Sequence, residues 1–159
     1  MNVLIRAAVI EDYDAVCALY AQVAHVHSQA LPQFFRPVEG PALPREFFAN
    51  ILANEDAAIF VAEWQDTLIG MTHCSVRTTP AVPVVVPRRF INIDDLVVSE
   101  HVRHQGVGQT LLERVHQWAR EKGVTEVELN VWEFNTSARS LYEKLGYETT
   151  RRIMRKQLL

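Results

Sequence analysis

Two glycines stand two residues apart behind an apolar run. Leu96-Val97-Val98 is followed by Arg103, then by Gly106-Val107-Gly108 and the start of a helical pattern. Glycine lets a ligand approach the main chain closely, and the first N–H groups of a helix have no internal partner. With the helix dipole, such a turn makes an anion site suited to phosphate or pyrophosphate. Arg103 adds a permanent positive charge beside it. The spacing is not that of a P-loop, because no Gly-Lys-Ser/Thr follows. Nor is it the dinucleotide-binding fingerprint, because Leu111 stands where the third glycine is needed. Taken alone, the pair also fits an ordinary tight strand-to-helix turn.

The same apolar run begins with two carboxylates, Asp94 and Asp95. A carboxylate in a central strand is costly without a partner, so at least one of them has a role. Side chains alternate along a strand, so the two point to opposite faces unless a bulge intervenes. The competing reading is that one merely binds a loop or an arginine such as Arg88 or Arg89. His25 and His27 are two apart, whereas metal ligands on a helix prefer a four-residue step, so no metal site is expected. His73 sits in a strand and faces either a cleft or the core.

The elements that must position these groups follow from periodicity. Val3 to Ala8 reads as a strand. Asp12 offers an N-cap to a helix carrying Val16, Leu19, Tyr20, Val23 and Val26. A proline-studded loop from Leu31 to Pro44 holds Phe34 and Phe35, which need a partner or a ligand if exposed. Arg45 to Asn54 predicts a second helix. Strands at Ala57–Trp64 and Leu68–Val76 flank the turn pair Gln65-Asp66, as in a hairpin. Phe90 to Val98 predicts a central strand, Val107 to Lys122 a helix ended by Gly123, and Glu126 to Trp132 another strand. Ser137 to Leu145 predicts a short helix. Tyr147 to Leu158 is strand-like and basic, with Arg151, Arg152, Arg155 and Lys156. Hairpin logic makes the middle strands antiparallel, and the late strand-helix-strand unit demands one parallel pairing. The expected fold is α/β: a single domain over 1–159 with one mixed, mostly antiparallel sheet and helices on both faces.

Composition agrees with one globular domain. The chain has 159 residues, 48% hydrophobic and 22% charged, with a net charge of −3, which speaks against a nucleic acid backbone as main partner. Cys17 and Cys74 are too few for a disulfide framework and read as small hydrophobes in a reducing compartment. No apolar run is long enough to span a membrane, and no secretory pattern opens the chain. The expectation is a cytoplasmic protein with no membrane or nucleic acid partner.

A second motif lies downstream. Arg103-x-x-Gly106-x-Gly108 is followed by Asn135-x-x-Ala138, then by Tyr142, Gly146 and Tyr147. The two motifs, in this order, resemble those of the GCN5-related N-acetyltransferase (GNAT) family, most strongly from Phe90 to Tyr147. The resemblance implies central strands that splay apart around the pantetheine arm of acetyl-CoA, the co-substrate. On this chain the arm would pair with the backbone of Leu96, Val97 and Val98. The pyrophosphate would rest on the N–H groups of His104, Gln105, Gly106, Val107, Gly108 and Gln109, beside Arg103. Asn135 would touch the cofactor arm, and Tyr142 would give a proton to the leaving thiolate. The competing reading of Tyr142 is a core tyrosine. Since little chain follows Gly146, one long final strand or a short pair is expected, and the family suggests a homodimer there.

Acetyl transfer to an amine needs a neutral amine, donors for the oxyanion and a proton for the departing thiolate. The backbone N–H of Val97 or Val98 is the expected oxyanion donor. The string Ile93-Asp94-Asp95-Leu96 resembles that of polyamine acetyltransferases in the family, which points to Asp94 as base, with a water chain as competitor. Phe34, Phe35, His73 and Trp132 are candidate acceptor-pocket residues. The leading expectation is direct acetyl transfer, in a ternary complex, to a primary amine of a small cationic molecule. The alternatives are a protein or peptide amine acceptor, a non-catalytic acyl-CoA-binding module, and a nucleotide-binding protein using the glycine turn.

Overall fold

The computed structural model describes residues 1–159. Its strands lie side by side in chain order: β1 (Leu4–Ala7), β2 (Ala57–Trp64), β3 (Thr67–Thr78), β4 (Arg89–Val98) and β5 (Val127–Leu129). All neighbours are antiparallel except β4 and β5, whose parallel pairing is bridged by a helical crossover. The helices are α1 (Tyr13–Ala30), α2 (Arg45–Ala53), α3 (Val107–Glu121) and α4 (Thr136–Lys144).

Period-two alternation builds a core on each face. On β2, Ile59 and Val61 turn toward α1 and α2, where they meet Val16, Leu19, Phe48 and Ile51. Phe60 and Ala62 turn to the other face and pack with Leu111, Leu112, Val115 and Trp118 of α3. Gln65 and Asp66 both take positive φ, 49° and 58°, the geometry of a two-residue hairpin turn. Gly123 (φ 67°) ends α3, its N–H bonded to the Arg120 carbonyl.

Two irregularities shape the centre of the molecule. The β4–β5 ladder stops at Ile93 and Leu129, while β4 runs on to Val98 with no neighbour on that side. This is the expected splay, and it leaves β5 shorter than the Glu126–Trp132 pattern predicts. The second irregularity is a bulge. His73 pairs with Asp95 and Cys74 with Ile93, so Asp94 is the extra residue on β4.

Two expectations are corrected. The segment after Gly146 forms no strand: residues 148–159 carry no regular structure, and Ile153, Met154, Leu158 and Leu159 are exposed. A strand is held by its ladder, and a three-residue β5 that diverges from β4 offers almost none. Asp12 does not cap α1 through its side chain. Its carboxylate instead accepts two hydrogen bonds from Arg6, at 2.7 and 2.9 Å, and one from the Val9 N–H.

Candidate active site

The glycine turn is an unpaired backbone cradle. His104 (φ 62°) and Gly106 (φ 86°) both lie in the left-handed region, which turns the chain sharply before α3 starts at Val107. The first helical bond runs from the Thr110 N–H to the Gly106 carbonyl. The N–H groups of His104 through Gln109 have no acceptor within the chain. Such a run at a helix start fits a pyrophosphate. Gly108 has a different reason to be glycine: a Cβ there would come within 3.1 Å of Leu141 Cδ2, so its smallness lets α4 close on the turn. Arg103 is exposed, with its Nε bonded to the Val98 carbonyl at 3.3 Å.

The splay sets out the donors of β4. The Ser99 N–H is bonded to Ile69 of β3. By alternation the Val97 N–H also faces β3, whereas Val98 and Leu96 present theirs to the open gap. Of the two expected oxyanion donors, Val98 is therefore the one with a free N–H. Asn135 caps α4, its side-chain oxygen accepting from the Ala138 N–H at 3.2 Å, while its amide nitrogen makes no hydrogen bond within the chain.

The bulge at Asp94 decides the faces of the acidic pair. Ile93 and Leu96 both pack toward α3, so Asp94 and Asp95 between them both turn toward α1. His73 lies between them, its Nδ1 3.6 Å from Asp95 and its Nε2 3.8 Å from Asp94. The carboxylates are not equivalent. Asp94 accepts from Ser75 Oγ (2.8 Å), Asn92 Nδ2 (2.9 Å) and Arg77 (3.1 Å). Asp95 accepts from the Tyr20 hydroxyl at 2.6 Å and is the more open, 34% exposed against 17%. The arginine at the pair is Arg77, while Arg88 binds Glu126 and Glu128.

Tyr142 lies on α4, packed against the α3-side core and edge-on to Tyr147. Burial, and after it the nearby charge of Asp95, pushes its hydroxyl up to about 12. It therefore stays protonated through the neutral range. Burial and Asp95 also push the Tyr20 hydroxyl well above the usual tyrosine range. Tyr20 was legible only as part of an apolar helix stripe. The signal that could have singled it out is chemical, since a tyrosine taken out of water needs a partner for its O–H.

The aromatic residues expected to line an acceptor pocket converge away from both cores. Phe34 stacks on Trp132 with centroids 5.6 Å apart, and Phe35 meets Trp132 edge-on. His27 and Phe134, neither of them singled out as acceptor residues by sequence, join the group. No group of His, Cys, Asp and Glu is arranged to hold a metal ion, and no helix is long and apolar enough to cross a membrane.

A cradle of free N–H groups at a glycine turn, opening into a gap between parallel strands, is an acyl-CoA transferase arrangement. The family model described as "Acetyltransferase (GNAT) family" matches residues 23–147, and the chain belongs to that family. It is an N-acetyltransferase that uses acetyl-CoA. It is 30% identical to the uncharacterized N-acetyltransferase YhfO of Bacillus subtilis, over 91% of this chain and 89% of that one. Among solved structures, a variant of the BH1408 protein from Bacillus halodurans superposes with a TM-score of 0.93 at 27% identity, over 98% of this chain and 99% of that one. The fold is also that of AAC(6')-Iy in complex with the bisubstrate analog CoA-S-monomethyl-acetylneamine, with a TM-score of 0.75, 21% identity, and coverage of 100% and 99%.

Proposed function

We propose that the acceptor is a primary amine on a small cationic molecule, polyamine-like in its charge, acetylated while both substrates are bound. The observation that carries this reading is the Asp94 bulge, which turns two carboxylates to one face on either side of His73. A cleft floor with two acids at close range attracts positively charged amines. The fold neighbour bound to a CoA–neamine analogue fits the same reading.

Acetyl-CoA, when bound, supplies the acetyl group as an activated thioester. The chain's part is to seat the pyrophosphate on the His104–Gln109 N–H groups and the arm along Leu96 to Val98. An alkyl amine has a pKa near ~10 and must lose a proton before it can attack. Resemblance alone points to Asp94 as the base. The hydrogen bonding favours Asp95, because three donors already occupy the Asp94 oxygens. Asp95 takes the proton, and Asp94 with His73 holds the acceptor's charge in place. The Val98 N–H donates to the carbonyl oxygen as negative charge develops there. Tyr142 supplies the proton that the departing thiolate needs.

The test is an acceptor screen that follows release of free CoA thiol. Diamines, polyamines and aminoglycosides are expected to turn over faster than anionic amino acids. Turnover of an anionic amine alone would sink the cationic reading. A protein in the cytoplasm and a homodimer remain part of this proposal, and sedimentation of the purified chain tests the second.

A further inference from the structure

Five rings form a cluster that belongs to neither hydrophobic core: His27 from α1, Phe34 and Phe35 from the loop after it, and Trp132 and Phe134 from the segment after β5. Rings used only to fill a core are covered. Here Phe34 is 46% exposed and Trp132 42%. The cluster already holds one cation. The Arg155 guanidinium, from the irregular tail, lies 5.0 Å from the centroid of Phe34. Ring faces are electronegative and attract cations most strongly where water is partly excluded.

The position of the cluster relative to the acid pair is set by α1. His27 follows Tyr20 by seven residues, so both project from the same helix face about 10 Å apart. Tyr20 is bonded to Asp95. Trp132 lies beyond the end of β5, where that chain has parted from β4. The ring cluster and the Asp95 carboxylate thus lie two helical turns apart along α1.

We propose that this cluster is a distal subsite that takes the far cationic end of a long acceptor, with Arg155 occupying it when no acceptor is bound. The inference rests on the cationic-amine reading above and adds to it a length requirement and an internal competitor. A diamine long enough to reach both places engages Asp95 with one nitrogen and the rings with the other. A short diamine reaches only the acids.

The test begins with binding, so that it does not depend on turnover. The chain has three tryptophans, and of these only Trp132 is exposed. Tryptophan fluorescence is followed while the protein is titrated with diaminooctane, diaminopropane and neutral octanol. The expected result is a saturable change with diaminooctane, weakened about tenfold in Phe34→Leu. Arg155→Ala is expected to bind diaminooctane several-fold more tightly. In turnover, the KM for diaminooctane relative to that for diaminopropane should rise about tenfold in Phe34→Leu. No fluorescence response, equal binding of octanol, or weaker binding in Arg155→Ala would overturn the proposal. Cation binding at the rings without acetylation of any amine would instead retire the acceptor reading and leave the subsite standing. Acetylation of diamines with an unchanged KM ratio would do the reverse.

Discussion

The hydroxyl of Tyr20 on α1 donates to the carboxylate of Asp95 on β4 at 2.6 Å, joining residues 75 positions apart. That bond ties α1 to the strand that carries the free Val98 N–H. It also fixes one oxygen of Asp95, and in the proposed mechanism the other takes the substrate proton. Asp95→Asn is expected to lower kcat by about 10²-fold or more. Asp94→Asn should act mainly on KM for cationic acceptors. Steady-state kinetics on the two variants separates the roles, and the reverse pattern would return the base role to Asp94.

Tyr142→Phe should lower kcat by about 10²-fold and leave acetyl-CoA binding intact, since only the hydroxyl is removed and the ring still packs against the α3-side core. Calorimetric titration with acetyl-CoA checks the second half. Its hydroxyl is held up to about 12, so the wild-type rate should show no loss from Tyr142 ionisation across the neutral range. Unchanged turnover in the variant would assign Tyr142 to packing.

Acetyl-CoA should raise the melting temperature. At a ligand concentration near 100 Kd the stabilisation is about 2.7 kcal/mol. For a domain of this size each kcal/mol is worth roughly 2–4 °C. Gly106→Ala should weaken that response. The added methyl meets no atom within 4 Å, so the cost, about 1–2 kcal/mol, comes from forcing alanine to a φ of 86°. If the variant binds acetyl-CoA as tightly as the wild type, the turn geometry is not what seats the cofactor.

Acid stability should depend on Asp12. Hydrogen bonding to Arg6 holds its carboxyl below the usual range, against the opposing effect of burial, and the Val9 N–H adds to the same effect. A depressed carboxyl contributes stability that is complete above its unfolded pKa of about 3.9 and is lost as pH falls through the lower folded value. Asp12→Asn should therefore melt lower at neutral pH, by about 1–2 kcal/mol because Arg6 is partly open to water. The gap between variant and wild type should close as the pH drops below about 4. A gap that stays constant with pH would show that packing, not charge, accounts for the loss.

What the amino-acid sequence determined is the local grammar. The apolar stretch from Ala57 to Trp64 marked a strand, the Gln65-Asp66 pair a hairpin, and Gly106 and Gly123 the two ends of α3. The paired motifs from Arg103 to Gly108 and from Asn135 to Tyr147 were enough to fix the family, because each encodes a backbone shape that few residues allow. Tertiary structure alone decided which side each acid faces. A bulge is a mismatch between two strands, and no pattern within β4 contains its partner's register. The Tyr20–Asp95 bond and the ring cluster were hidden for the same reason, since each joins segments far apart in the chain. The last strand failed in the opposite direction. Residues 148–159 have the composition of a strand, but strand formation depends on a neighbour's free hydrogen-bonding edge, and the short, diverging β5 supplies too little of it.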